Sequence, residues 1–225
     1  MLHATFDASR EAVPGARLFV CGDIHGCLGP LNERLDAIGF DKDRDHLFAL
    51  GDLLDRGPDS QGVVRLLNEP WFHSIKGNHE DMLQQAFEKV EARYRIHHIN
   101  NGGSWFSCLG DDDQAEIHGL VADLPIAMTV TTNTGRSIGL VHADVFGADW
   151  DEFLSDLEDE DMQSFAMWKR ARIYLALERR PLAPIKGVDH VFFGHTPVDA
   201  PLHSENMSWI DTQCYRTGEI TVIEI

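Results

Sequence analysis

An α/β (α+β) fold, a sandwich of two packed β-sheets flanked by helices in a single domain, is what the 225-residue sequence predicts. Three observations predict it. Short apolar runs of strand length recur along the chain. Stretches with helical spacing separate them in the first half, which reads β-α-β-α-β-α. The second half is richer in strands and carries one helical insert, and such a mixture packs as layers around a common core.

The strand-like runs come first as "RLFVCG" (17–22), "HLFALG" (46–51) and "WFHSIKG" (71–77). Later ones are "IAMTVT" (126–131), "SIGLVH" (137–142), "HVFFG" (190–194), "MSWID" (207–211) and "ITVIEI" (220–225). Between the first two, Leu28, Leu31, Leu35 and Ile38 recur at close to helical spacing. "SQGVVRLLN" (60–68) and "EDMLQQAFEKV" (80–90) read as further helices, with Asp59 or Ser60 as the N-cap of the former. A helical insert is expected near 151–178, and its acidic run "DWDEFLSDLEDEDMQ" (149–163) reads as a solvated helix face or a mobile cap loop. The first ten or so residues are expected to be disordered, as chain ends often are. Residues 1–16 therefore form an N-terminal extension and 17–225 the domain.

Composition narrows the function. Hydrophobic residues make up 43% and charged residues 25%, ordinary values for a globular chain. No apolar run has the length that spans a bilayer, and the N-terminus lacks a signal-peptide pattern, so a cytoplasmic protein with no membrane partner is expected. The cysteines at 21, 27, 108 and 214 form no CxxC pair and read as reduced packing residues. A formal net charge of −18 argues against a nucleic-acid partner, which basic side chains would have to neutralise. Part of that excess is explicable if carboxylates hold divalent cations, which a sequence sum omits. A monomer is the default.

Polar clusters stand at the ends of five strands: "GDIHG" (22–26), "GDLLDRG" (51–57), "GNHE" (77–80), "VHAD" (141–144) and "GHTP" (194–197). Each alone would pass for turn chemistry. Together they place Asp, Asn and His at the strand edge where open α/β sheets bind ligands. Mixed oxygen and imidazole donors suit manganese, iron or zinc better than magnesium or calcium. Asp23 and His25, two residues apart, would point the same way from an extended segment. Asp52 offers two oxygens, enough to bridge two ions.

The motifs GDxHG, GDxxDRG and GNHE followed by two isolated histidines resemble the phosphoprotein phosphatase family of metallophosphoesterases, most closely its lambda-type and bacterial serine/threonine members. "NGGSWF" (101–106), "WKRARI" (168–173) and "FFGHTP" extend the resemblance, which runs from about residue 17 to the end. It implies a calcineurin-like metallophosphoesterase domain over 17–225 and two divalent cations, with manganese favoured and iron or zinc as alternatives. The first cation would be held by Asp23, His25 and Asp52, the second by Asp52, Asn78, His142 and His195. His79 matches the general acid, Asp55 its carboxylate partner, and Arg56 a phosphate clamp. Arg170 matches a second phosphate-binding arginine, with Arg172 as the competing assignment. The family pattern has arginine where this chain has Lys76, which keeps the charge for substrate but loses the bidentate fork. A family glycine is replaced by Gln213.

The expected function is a protein serine/threonine phosphatase acting on phosphoproteins, phosphopeptides or small phosphate esters. A metal-bridging hydroxide would attack phosphorus directly, with no phosphoenzyme intermediate. The main rival is a symmetrical dinucleoside tetraphosphate (Ap4A) hydrolase using the same metals on an anhydride; Glu80 and the intact "DRG" favour the monoesterase. A catalytically dead binding module is the reading outside enzymes. His46, His73, His118, His190 and His203 lie in no motif and read as structural. The adjacent histidines of "IHHIN" (96–100) are expected to diverge in direction, and Trp105, Phe106 and Trp168 read as core or pocket wall.

Overall fold

A computed structural model describes all of residues 1–225. The chain begins β1 (His3–Asp7), α1 (Ala8–Glu11), β2 (Leu18–Cys21), α2 (Leu28–Ala37), β3 (His46–Ala49), α3 (Ser60–Arg65) and β4 (Phe72–Ser74). Three helices follow, α4 (Asn78–Glu88), α5 (Ala92–Asn100) and α6 (Asp111–Ala122), and a 3-10 turn at Gly103–Cys108 separates the last two. After β5 (Ala127–Thr131) and β6 (Ser137–Val141) come α7 (Trp150–Asp156), α8 (Glu160–Trp168) and α9 (Ala171–Leu177). The chain closes with β7 (His190–Phe193), β8 (Leu202–Ser204), β9 (Met207–Trp209), α10 (Cys214–Thr217) and β10 (Val222–Glu224).

Two sheets result, a four-stranded one in the order β10-β2-β3-β4 and a six-stranded one in the order β1-β5-β6-β7-β9-β8. Strands β2, β3 and β4 run parallel, as do β6, β7 and β9, so their C-terminal ends point to one edge of each sheet. The side-chain period of two explains why these strands read as unbroken apolar runs. Leu18, Val20, Phe48, Ile138, Leu140 and Phe192 fill the space between the sheets. The residues between them in sequence face outward: Phe19, Cys21 and Leu47 pack under α2, α3 and α6. Val141, Val191 and Phe193 pack under α7 to α9. The layers are helix, sheet, sheet, helix, as expected.

One expectation is corrected. Residues 1–16 are no loose extension, because His3–Asp7 pairs in parallel register with Ala127–Thr131 and Phe6 is buried between the sheets. Of the two readings of the acidic run, the helix face is the one found, in α7 and α8. Asp149 and Asp159 accept backbone N–H groups as N-caps of α7 and α8, and further acids occupy the first turns, where helix dipoles favour them. The sequence reading also has no counterpart for α5, α6 or β8. Asp59 is the N-cap of α3, accepting from the Gly62 N–H. No helix is long and apolar enough to cross a membrane.

Candidate metal centre

Five strands from both sheets deliver their following residues to one place, Asp23 and His25 after β2, Asp52 after β3, Asn78 after β4, His142 after β6 and His195 after β7. The turns that do this are strained. His25, Asp52, Asp55, Arg56 and His195 all have φ between +46° and +71°, the left-handed region that non-glycine residues avoid. Such backbone persists only where surrounding contacts over-determine it, and it concentrates at functional sites. Glu80 supplies one such contact: its buried carboxylate accepts the N–H groups of Gly77, Asp52 and Leu53, tying the turn after β3 to the start of α4.

Asp52 stands at the centre. Its Oδ2 lies 3.5 Å from His25 Nε2, and its Oδ1 lies 3.3 Å from His142 Nε2, so the two oxygens face two different imidazole groups. Ligand atoms of Asp52, His142 and His195 fall within 4.8 Å of one another, and so do those of His25, Asp52 and His79. Asn78 Oδ1 lies 2.9 Å from His142 Nε2, on the same side as Asp52 Oδ1. Asp23 lies outside both groups, its carboxylate taking the His195 N–H at 3.0 and 3.1 Å. The segment after β2 is not extended, since His25 adopts φ +46°, so the period-two argument for Asp23 and His25 does not apply.

The donor set fits cations. Carbonyl oxygens only accept, so His25 and His142 must donate from Nδ1 to Leu54 O (2.9 Å) and Leu50 O (2.7 Å). His25 Nε2, which faces Arg56, keeps its lone pair. His142 Nε2 faces the oxygens of Asn78 and Asp52 and must give up a proton before it can ligate. His195 donates from Nε2 to Trp168 O at 3.1 Å and so offers Nδ1. Backbone partners of this kind fix tautomers at metal sites. Seven carboxylates are buried in the chain against one lysine, Lys76. Asp45 and Asp144 pair with Arg17 and Arg172, but Asp23, Asp52, Asp55, Glu80 and Asp211 make no ion pair with lysine or arginine. Asp211 Oδ2 is buried with no hydrogen-bond partner at all. A buried cluster of carboxylates with no lysine or arginine partner is a setting that divalent ions suit.

The electrostatics follow from that crowding. Burial, with Asp211 and Asp52 nearby, pushes Asp23 well above the ordinary carboxylate range. Burial would raise Asp52 too, but the surrounding histidines, His142 foremost, hold it well below. Burial would lower His142, yet Asp52 overrides it and lifts the imidazole to about 10. Burial carries His25 down to about 3 and, with His142 adding to it, His195 to about 2.

Beside this centre, His79 Nδ1 donates to Asp55 Oδ2 at 2.7 Å, and its Nε2 points the other way, 2.8 Å from Arg56 Nη2. The exposed Arg56 guanidinium also reaches His25 Nε2 at 2.8 Å and lies over the Tyr215 ring. Of the two candidate arginines after α8, Arg172 is engaged with Asp144 and the carbonyls of Val145 and Gly147. Arg170 has no such partner, and its cation lies close enough to His195 to help depress its pKa. Lys76 is corrected as a substrate contact. Its ammonium donates to Gln84 Oε1 (2.8 Å) and to Ala122 O (2.9 Å), the last carbonyl of α6, and burial lowers its pKa.

Sequence reasoning assigned no site role to Asp211, His98 or Trp105, and used Glu80 only to choose between readings. Glu80, Asp211 and Trp105 stand inside the quoted stretches "GNHE", "MSWID" and "NGGSWF", and His98 inside "IHHIN", none of which by itself tells what the side chain touches.

A two-sheet α/β sandwich that gathers buried imidazoles and carboxylates at one edge has the donor set of a metal-dependent protein. Residues 16–199 match the family model for calcineurin-like phosphoesterases, and the chain belongs to that family. It is 36% identical to serine/threonine-protein phosphatase 2 of Escherichia coli (strain K12), with 92% of each chain covered. It is 33% identical to serine/threonine-protein phosphatase 1 of Salmonella typhimurium, covering 96% of this chain and 94% of that one. A symmetrical bis(5'-nucleosyl)-tetraphosphatase of Pseudomonas fluorescens is 31% identical over 56% of this chain and 42% of its own. Among solved structures, the cold-active protein-tyrosine phosphatase of a Shewanella species aligns with TM-score 0.59 at 17% identity, covering 98% of this chain and 77% of that one.

Proposed function

We propose that this chain is a metal-dependent phosphomonoesterase that removes phosphate from phosphoserine or phosphothreonine in proteins or peptides. The observation that carries this reading is Asp52, whose two oxygens face separate imidazole groups and so suit a ligand shared by two ions. Asp23, His25 and Asp52 would hold one cation, and Asp52, Asn78, His142 and His195 the other, with manganese, iron or zinc matching the donors. When bound, such ions polarise phosphoryl oxygens and lower the pKa of bound water toward neutrality.

The chain's own residues do the rest. Arg170, unpaired beside His195, and Arg56, exposed at the rim, supply positive charge for phosphate oxygens, where charge develops in the transition state. Arg56 must leave His25 Nε2 for a cation to bind there, and must leave His79 Nε2 before that nitrogen can carry a proton; its guanidinium lies over the Tyr215 ring. His79, held through Nδ1 by Asp55, presents Nε2 as the atom that carries a proton to the leaving oxygen. No side chain is arranged as a covalent nucleophile: Ser60 Oγ accepts the Asp55 N–H and touches no base.

Metal analysis of the purified chain followed by parallel hydrolysis of a phosphoserine peptide and of Ap4A tests this reading. Two ions per chain with faster peptide turnover is the expected result. Faster cleavage of Ap4A would replace it with the anhydride hydrolase. A metal-loaded chain inert on both would sink it.

A further inference from the structure

His79 is not the only donor on Asp55. While Oδ2 takes the His79 Nδ1–H, Oδ1 takes two more hydrogen bonds, from His98 Nε2 at 3.0 Å and Trp105 Nε1 at 2.7 Å. An ionised carboxylate only accepts, so His98 is present as a donor at Nε2. Both donors come from one segment, α5 and the 3-10 turn Gly103–Cys108, which folds back over the turn holding Asp55 and Arg56. The fit is close. A Cβ on Gly103 would lie 2.2 Å from the His98 ring, and one on Gly102, at φ +106°, would lie 2.9 Å from the Arg56 nitrogen. His98 itself is 2% exposed.

Hydrophobic packing alone does not account for this arrangement. A phenylalanine would fill the same space against Phe106, whose ring centroid is 6.0 Å away, with no polar group to satisfy. Instead the chain buries an imidazole with its N–H on the one carboxylate that holds His79. Asp55 has φ +71°, so its side chain leaves a strained backbone whose own conformation is not self-supporting.

We propose that His98 is a positioning residue: together with Trp105 it anchors Asp55 Oδ1, so that Oδ2 stays on His79 Nδ1 and His79 Nε2 stays aimed at the leaving oxygen. The inference rests on the phosphomonoesterase reading and extends it. His98 touches no substrate atom in this scheme; it acts through Asp55 and then His79. With one of two donors removed from Oδ1, the carboxylate gains freedom to rotate, and a small misplacement of a proton donor costs rate steeply.

The test uses leaving groups of different demand on the manganese-loaded full chain. A phosphoserine peptide needs its leaving alkoxide protonated, whereas 2,4-dinitrophenyl phosphate releases a stable phenolate without help. His98→Phe is expected to lower kcat on the peptide about tenfold or more, a part of the roughly 10²–10⁴ that a general acid contributes. On the dinitrophenyl ester the loss should stay within about threefold, and metal content should be unchanged. His98→Gln, which keeps an amide donor, should restore most of the peptide rate. Trp105→Phe, which removes the other donor, should show the same bias and carries the test if His98→Phe does not fold. Equal losses on both esters, or a Gln variant no better than Phe, would overturn the positioning role. Wild-type chain inert on both esters would instead remove the phosphomonoesterase reading beneath it, and the inference with it.

Discussion

Asp52 accepts the His79 N–H at 3.0 Å, faces His142 with one oxygen and His25 with the other, and does so from φ +49°. One side chain thus binds a turn, orients a helix start and addresses two imidazole groups. Asp52→Asn removes one anionic oxygen while keeping the shape. We expect bound metal to fall from two ions toward one or none per chain, read by elemental analysis after gel filtration. Two ions at full occupancy in the variant would contradict a shared ligand. At this scale the sequence was informative wherever an Asp, Asn or His follows directly on a strand, because strand direction alone brings such residues to one edge. Lys76 shows the limit of that rule. It stands one residue before Gly77, yet its ammonium is taken by Gln84 and by the last carbonyl of α6. His98 shows another limit: "IHHIN" does not reveal which of two neighbouring rings turns inward, and only docking of α5 decides that His98 is buried and His97 exposed.

At the scale of elements, strands were legible because burial on both faces leaves long apolar runs, and α2, α3 and α4 because their apolar spacing is clear. The N-terminal strand was not. "HATFD" is short and half polar, and it becomes a strand only by pairing with β5, a partner far away in sequence. Helix α6 begins with three aspartates, Asp111, Asp112 and Asp113, in the first turn, where the helix dipole favours them. The start of α10 carries a local cost. Gln213, where the family resemblance leads one to expect glycine, sits at φ +59° with its N–H on Asp211 Oδ1. The left-handed region costs a non-glycine residue roughly 1–2 kcal/mol, partly offset by the entropy glycine loses on folding. Gln213→Gly should therefore raise stability by about 0.5–1 kcal/mol, seen as a higher urea midpoint. A lower midpoint would mean that the Gln213 side-chain contact to Arg216 outweighs the strain.

The whole molecule should lose stability in mild acid. His73 lies against Phe48, with ring centroids 4.8 Å apart, and burial aided by His46 lowers its pKa from 6.5 to about 4. The folded chain then binds fewer protons than the unfolded chain between those values, so stability is full above pH 6.5 and falls as pH drops toward 4. The loss from this one ring is on the order of 2 kcal/mol by pH 4.5. Urea midpoints at pH 7 and pH 4.5 check it. His73→Phe should shrink the difference between them, and an unchanged difference would refute the assignment. The same scale explains part of the −18 net charge, since five carboxylates without a lysine or arginine partner lie inside rather than on the surface.

The candidate ligands come from two different sheets, Asp23, His25, Asp52 and Asn78 from one and His142 and His195 from the other. Cations seated among them would rivet the two halves of the sandwich at a rim that the apolar interior does not reach. Anything that binds only the folded form adds to its stability by mass action. Stripping the ions with a chelator should thus loosen the seam between the sheets, and resistance to heat would report metal supply as directly as catalysis does.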